Sequence, residues 1–463
     1  MLFTEGVYLL LLAAVLPLYW WRRGQSERKT LLLVASYLFY GWWDWRFCGL
    51  LLLSSLIDYA AALWIAAHPG HPRRRRALCI SLGGNLAILG LFKYFDFFAA
   101  SIAAGLARLG LEADPWVLQV LLPPGLSFYT FQSMSYTIDV YDGRAPARRS
   151  LLDVLLYVAF FPQLVAGPIV RAGAFTPQLD RRMTAADVPV TACLLLFLVG
   201  LFKKVAVADS IGLAIDPVWA DPERYDRASL WAAMVLFRFQ LYCDFSGYSE
   251  MAIASAGLLG FRLPWNFDAP LLARNMADYW RRWHITLANW FRDYIYLRLP
   301  FRRQGWSLYR NLLLTMALVG LWHGAGWTFV TWGLLQGLAL GFLIAMRRNG
   351  VDLSLPLLPA FALTFAYGTL SATFFRASSV ETGIAMIGDG LGLGEAGTLS
   401  LGAGPWIAIA LLAALHIGWR RWALGERLLA LPGWLQAVLY GAAAALTLAL
   451  LPYADRPFYY FQF

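Results

Sequence analysis

Charge is what this sequence has least of. Only 14 % of its 463 residues are Asp, Glu, Lys or Arg, against about a quarter in a soluble chain of this size. Between Asn311 and Met346, 36 residues pass without one. With 60 % of the chain hydrophobic, a soluble globular fold is excluded, because so much apolar surface needs a bilayer to cover it.

Other absences narrow the chemistry. The four cysteines, Cys48, Cys79, Cys193 and Cys243, are isolated and form no CxxC pair, so neither a zinc site nor a disulfide framework is expected. No HExxH or GxSxG occurs, which argues against a zinc protease and a serine hydrolase. The GxGxG within GDGLGLGEAG (388–397) has no strand before it to make a phosphate loop. No metal or tightly bound cofactor is expected. No internal repeat is visible, which disfavours a transporter built from two related halves. The net charge of +10 fits cytoplasmic loops facing a membrane surface better than a nucleic-acid partner.

What is present is a series of apolar spans, at roughly 3–21, 31–45, 47–67, 77–98, 118–141, 188–208, 229–250, 311–346, 356–375, 405–419 and 432–452. The expected fold is therefore all-α and polytopic, with about 11 transmembrane helices. Met1–Trp21 lacks a basic n-region and ends in Trp20–Trp21–Arg22–Arg23, which reads as a first span with an interfacial anchor, not a cleaved signal. Loops assigned to the cytoplasm hold 27 of the 38 Lys and Arg, and this asymmetry puts both termini on the exterior side. Two runs have basic flanks at both ends. Residues 151–170, broken by Pro162 and Pro168, read as a re-entrant segment. Residues 311–346 are too long for one crossing, about 54 Å, and are expected to break at Gly324–Ala325–Gly326 and return. No sizeable soluble domain appears, so 1–463 reads as one integral-membrane domain. Its cytoplasmic amphipathic segment is 264–310, its exterior aromatic tail is 453–463, and its Gly-rich exterior loop 377–404 is expected to be flexible.

Buried polar groups mark the chemistry. His323 stands in VGLWHGAGWT, beside Trp322, Trp327, Gly320, Gly324 and Gly326. An ionisable group inside a membrane span is a functional hypothesis by default, and a desolvated imidazole stays neutral, able to accept a proton at pH 7. The glycines leave space for a ligand or another backbone. Counting 12 residues from Asn311 puts the ring near mid-membrane. His284 lies in DYWRRWHITLANWFRDY. Read as one helix, Trp280, His284, Leu287 and Phe291 share its apolar face, opposite Asp278, Arg281, Arg282, Asn289 and Arg292. Two readings stand for this histidine: one tethered by a carbonyl, or one lining the entrance of a buried path. In FRFQLYCDFSGYSEM, Arg238 and Asp244 are six apart and cannot pair on one straight helix. A structural ion pair and a tunnel wall both remain open. His68 and His71 read as solvated loop residues, and His416 as an interfacial one. A base without an adjacent protein nucleophile fits direct transfer, in which the substrate's own hydroxyl attacks.

Five blocks carry a resemblance: PPGLSFYTFQSMSYTIDVYDG (123–143), FFPQLVAGPIVRAGAFTPQL (160–179), YCDFSGYSEMA (242–252), DYWRRWHITLANWFRDYIYLRL (278–299) and GLWHGAGWTFVTWG (320–333). Together, and in order along nearly the whole chain, they resemble the membrane-bound O-acyltransferases, in particular the bacterial branch that O-acetylates alginate. The D-alanine transferring branch of teichoic acid synthesis is more distant. The resemblance implies a ring of tilted helices around a central tunnel. It implies a hallmark histidine at His323 acting as general base and a second motif histidine at His284. Arg171, Arg238, Asp244, Trp322 and Trp327 fall where the tunnel and its substrates would lie. It implies a cytoplasmic acyl thioester donor, acetyl-CoA above all, and an exported polysaccharide as acceptor, reached through a periplasmic acetyltransferase partner. An inner bacterial membrane follows as the location. The tail RPFYYFQF places Tyr460 where related proteins carry a proposed acyl relay, although an aromatic interfacial belt would look the same. The competing readings are D-alanyl transfer from a carrier protein and a flippase of lipid-linked sugars that does no chemistry.

Overall fold

The computed structural model describes residues 1–111, 114–118, 120–300, 305–351, 353 and 355–450. Among them there is no strand, only one isolated bridge, and the fold is all-helical. The chain divides into two compact units, Met1–Leu194 with Met251–Pro264, and Leu195–Glu250 with Trp265–Phe463.

The first unit is organised around the Leu126–Tyr141 helix, buried at every position from 126 to 140. The expected span 118–141 is thus shorter, because Pro123, Pro124 and Gly125 precede the first turn. Gly125 has φ +75°, and a Cβ there would lie 2.7 Å from the Leu164 carbonyl oxygen, so glycine is required on two counts. A polar knot ties three helices together. The Asp58 carboxylate, fully buried in the Cys48–Ala67 helix, accepts from Ser81, from Asn85 Nδ2 at 3.0 Å, from Ser133 and from Thr137 Oγ1 at 2.9 Å. Four donors satisfy a carboxylate that apolar surroundings alone would not tolerate.

The 151–170 run breaks as expected. The Leu151–Ala159 helix is N-capped by Ser150, whose Oγ accepts from the Asp153 amide at 3.2 Å. It stops at Phe160, and a short Phe161–Leu164 helix with Pro162 in its first turn follows. Residues 160–170 are buried throughout, which is the condition for irregular backbone at membrane depth. The 77–98 span runs on as Arg74–Leu89, a π turn Gly90–Tyr94 and Phe95–Arg108, so the helix continues past its expected end at 98.

In the second unit the 311–346 run resolves into a hairpin, Trp306–His323 and Trp327–Arg348, turning at Gly324–Gly326. Its legs touch backbone to backbone. A Cβ on Gly320 would sit 2.1 Å from the Phe329 carbonyl oxygen, and one on Gly333 2.2 Å from that of Met316. The Arg227–Leu258 helix, 32 residues long, contributes 227–250 to this unit. Gly247 brings it against the π turn Lys203–Asp209. The loop 377–404, expected to be flexible, instead contains the Val380–Leu391 helix. It is pinned by bonds from Asp226 N to Leu399 O at 2.8 Å and from Gly397 N to Tyr225 O at 3.0 Å.

Among the described residues, five helical runs are long and apolar enough to cross a membrane: Gln25–Ala67, Arg74–Arg108, Val190–Ala220, Trp327–Arg348 and Leu357–Arg376. Gly6–Trp21 and Gly433–Ala449 are shorter apolar helices. The expected count of about 11 spans is therefore not reproduced by length and composition. The Arg227–Leu258 helix carries Arg238, Asp244 and Glu250 along its length.

Candidate active site

Two breaks in regular structure create the site, both in the second unit. The first is the hairpin turn. His323 is the last residue of its helix, with extended backbone at Gly324 and Gly326 and a side chain 2 % exposed. The two legs are roughly 27 and 33 Å long at 1.5 Å per residue. The ring therefore sits at the closed end of the hairpin, a full helix length from Arg347 and Arg348.

The second break corrects the sequence reading of His284. The segment is not one helix. Met276–Arg282 ends, His284 takes φ +40°, ψ +54°, and Ile285–Tyr294 begins. Left-handed backbone at a non-glycine residue costs on the order of 1–2 kcal/mol, so surrounding contacts must hold it. Asn266, fully buried, supplies them. Its carbonyl accepts from Ile285 N at 3.0 Å, and its Oδ1 accepts from Thr286 Oγ1 at 2.6 Å and Thr286 N at 3.3 Å. It thereby caps a helix whose own N-cap side chain makes no cap bond. Sequence reasoning missed Asn266, since nothing in WNFD marks it as a cap for a helix some twenty residues on.

The breaks bring the imidazoles together, with ring centroids 6.4 Å apart at 58°. The nitrogens cannot approach closer than about 4 Å, beyond direct hydrogen bonding. Trp322 contacts both rings, at 5.7 Å from His284 and 4.9 Å from His323. Phe245 meets His284 edge-on at 4.6 Å, and Trp332 and Phe375 meet His323 edge-on at 5.2 and 5.1 Å. His284 lies between two helices of 7 and 10 residues, too short to cross a membrane. Burial pushes its imidazole down to about 3, so it is neutral at pH 7.

The other expected site residues divide. Trp322 is buried between the histidines, whereas Trp327 is 59 % exposed, and Trp332 takes the place expected for it. The glycines serve packing. Gly320 admits the Phe329 carbonyl and Gly324 the Phe329 ring, 2.2 Å from where a Cβ would stand. Asp244 is a structural partner of Lys204, at 2.9 Å. Arg238 is not its partner and lines a small cavity with Tyr279, Trp332 and Gln336. Arg171, half-buried, starts the Ala172–Phe175 helix of the first unit. His68 is exposed and stacked on Trp64 at 4.4 Å, and His416 meets Tyr242 edge-on at 5.1 Å. Tyr460 lies outside the described residues. Among the described residues no cluster of His, Cys, Asp or Glu could hold a metal ion.

Residues 144–350 match the family model of the membrane-bound O-acyltransferases. A "Probable alginate O-acetylase" of Pseudomonas putida is 39 % identical over 85 % of this chain and 81 % of its own length. A "Peptidoglycan O-acetyltransferase" of Helicobacter pylori is 34 % identical over 79 % and 74 %. A "Teichoic acid D-alanyltransferase" of Streptococcus thermophilus is 28 % identical over 47 % and 55 %. With a hairpin-end histidine facing a second histidine in an aromatic enclosure, and with identity of this extent to named O-acetylating enzymes, the chain belongs to the membrane-bound O-acyltransferase family and is an O-acyltransferase of the membrane.

Proposed function

We propose that this enzyme takes an acetyl group from a cytoplasmic thioester, acetyl-CoA, and delivers it to hydroxyls of an exported polysaccharide such as alginate. The bacterial inner membrane is the setting, and a periplasmic acetyltransferase is the partner that completes delivery. The observation that carries this reading is the pairing of two buried imidazoles in one aromatic enclosure.

In the proposed reaction His323 is the general base. Its ring nitrogen takes the proton of the acceptor hydroxyl as that oxygen attacks the thioester carbonyl. The carbon–sulfur bond breaks, and the imidazolium returns the proton to the departing thiolate. Such proton transfer contributes about 10²–10⁴ in rate, and positioning in a dry enclosure adds to it. His284, neutral and across the gap, steers the thioester. Trp322, Trp332 and Phe375 exclude water that would hydrolyse the donor.

The test is transfer of labelled acetyl from acetyl-CoA by membranes carrying the protein, with His323→Ala as the comparison. Normal acetylation by that variant would remove the mechanism. Transfer from a D-alanyl carrier protein in its place would select the aminoacyl reading, and sugar-lipid movement with no acyl consumption would select a flippase. Acylation by chains lacking Phe458–Phe463, at an unchanged rate, would remove Tyr460 as a relay.

A further inference from the structure

Two cations are buried among the described residues, Lys204 and Arg238, and Lys204, like the half-buried Lys203, Arg376 and Lys29, has a carboxylate partner. Lys204 meets Asp209 and Asp244, Lys203 meets Glu250, Arg376 meets Asp216, and in the first unit Lys29 meets Asp153. Arg238 is 6 % exposed. No described carboxylate lies within salt-bridge distance, and its nearest charge-stabilising neighbours are ring faces, Tyr279 at 5.2 Å and Phe365 at 5.8 Å. Ring quadrupoles return only part of the cost of desolvating a guanidinium.

The fold makes room for this cation. A Cβ on Gly368 would lie 2.3 Å from Arg238 Nη1, so glycine is needed for the guanidinium to be there. Its donors face a cavity with room for about one water. The cavity also receives Gln336, whose Nε2 donates to Ser371 Oγ at 2.9 Å while its Oε1 is buried without a partner. Two of the walls, Trp332 and Phe375, are the rings that meet His323 edge-on. Cation and base are therefore separated by one layer of aromatic rings.

We infer that the Arg238 cavity is an oxyanion subsite, in which one oxygen of a substrate's carboxylate or phosphate takes the water-sized space and supplies the counter-charge that the protein withholds. A guanidinium N–H offers such an oxygen a charge-assisted hydrogen bond. The inference rests on the acyl-transfer reading for the identity of the ligand, which is either the phosphate of a nucleotide thioester or the carboxylate of an acidic sugar.

The test uses the purified full chain in detergent. Sodium acetate and inorganic phosphate are titrated at constant ionic strength, with chloride as control, while the thermal midpoint is followed. The wild type shows a saturable rise with at least one of the two anions. Arg238→Gln loses it, and Arg238→Lys restores part of it. In steady-state assays Arg238→Gln raises KM at least tenfold for the substrate that carries the oxyanion, with a smaller fall in kcat. A rise for acetyl-CoA alone assigns the phosphate, and a rise for a carboxylated acceptor alone assigns the carboxylate. Should Arg238→Gln not fold, Gly368→Ala displaces the guanidinium and is read the same way. The subsite is overturned if neither anion moves the wild-type midpoint, or if the rise survives in the variants. An anion effect lost in Arg238→Gln, in a wild type that transfers no acetyl, keeps the subsite and removes the acyl-transfer reading instead.

Discussion

His284 and His323 face each other across 6.4 Å between ring centroids, each delivered by a helix break. One break is a left-handed residue clamped by Asn266, the other the closed end of a glycine-packed hairpin. The imidazoles are thus held by backbone architecture, and each clamp is a separate point of attack.

His323→Ala and His323→Gln are expected to lower acyl transfer by about 10²–10⁴ while the purified protein keeps its thermal midpoint. Activity within a factor of a few of the wild type would show that the proton goes elsewhere.

Acid sensitivity should trace to His284. The folded chain keeps this imidazole neutral down to about 3, whereas an unfolded chain protonates it below about 6.5. Its contribution is therefore present above pH 6.5 and is lost progressively as pH falls toward 3, reaching roughly 2.7 kcal/mol by pH 4.5. His284→Asn, which tolerates left-handed backbone, should lose less thermal stability than the wild type between pH 7 and pH 4.5. Parallel curves for the two proteins would contradict the assignment.

Asn266→Ala removes the acceptor for Thr286 and should cost about 1–3 kcal/mol with a disproportionate fall in kcat. Asn266→Asp keeps an acceptor at a helix N-terminus, where negative charge is favourable, and should recover most of both. Equal losses in the two variants would mean that the carbonyl alone does the clamping.

Gly320→Ala and Gly333→Ala place a methyl within 2.1–2.2 Å of a backbone oxygen across the hairpin. Overpacking of this kind typically costs about 1–3 kcal/mol, occasionally more, and it moves His323. Both variants should fold poorly and be inactive, whereas Gly326→Ala, with its nearest contact at 3.5 Å, should fold normally.

In the first unit, Asp58→Ala strands the amide of Asn85 and three hydroxyls. A loss of about 3 kcal/mol or more is expected, read as a lower thermal midpoint. Asp58→Asn should fall between the two.

Much of this was legible along the chain. The charge-free run from Asn311 to Met346 forced a break at Gly324–Gly326, because its length exceeded any bilayer, and the hairpin turns there. His323 stood out because an imidazole in such a run is costly. The buried 160–170 segment followed from its prolines and basic flanks. Hidden were the contacts that only packing creates. Periodicity made one amphipathic helix of 276–294, since a single left-handed residue leaves no mark on a hydrophobic stripe. Trp327 and Trp332 are equally aromatic in sequence, and only the helix phase after the turn sends one outward and the other onto His323. Arg238 and Asp244 look like one polar ridge, yet Lys204 claims the aspartate and the arginine is left facing a cavity. Composition and run length thus determined a helical membrane protein and singled out His323, because burial of apolar surface and of charge is a property of residue types. The tertiary structure alone decided which rings enclose His323, which glycines pack and which charges pair, because those depend on atoms brought together from segments far apart in the chain.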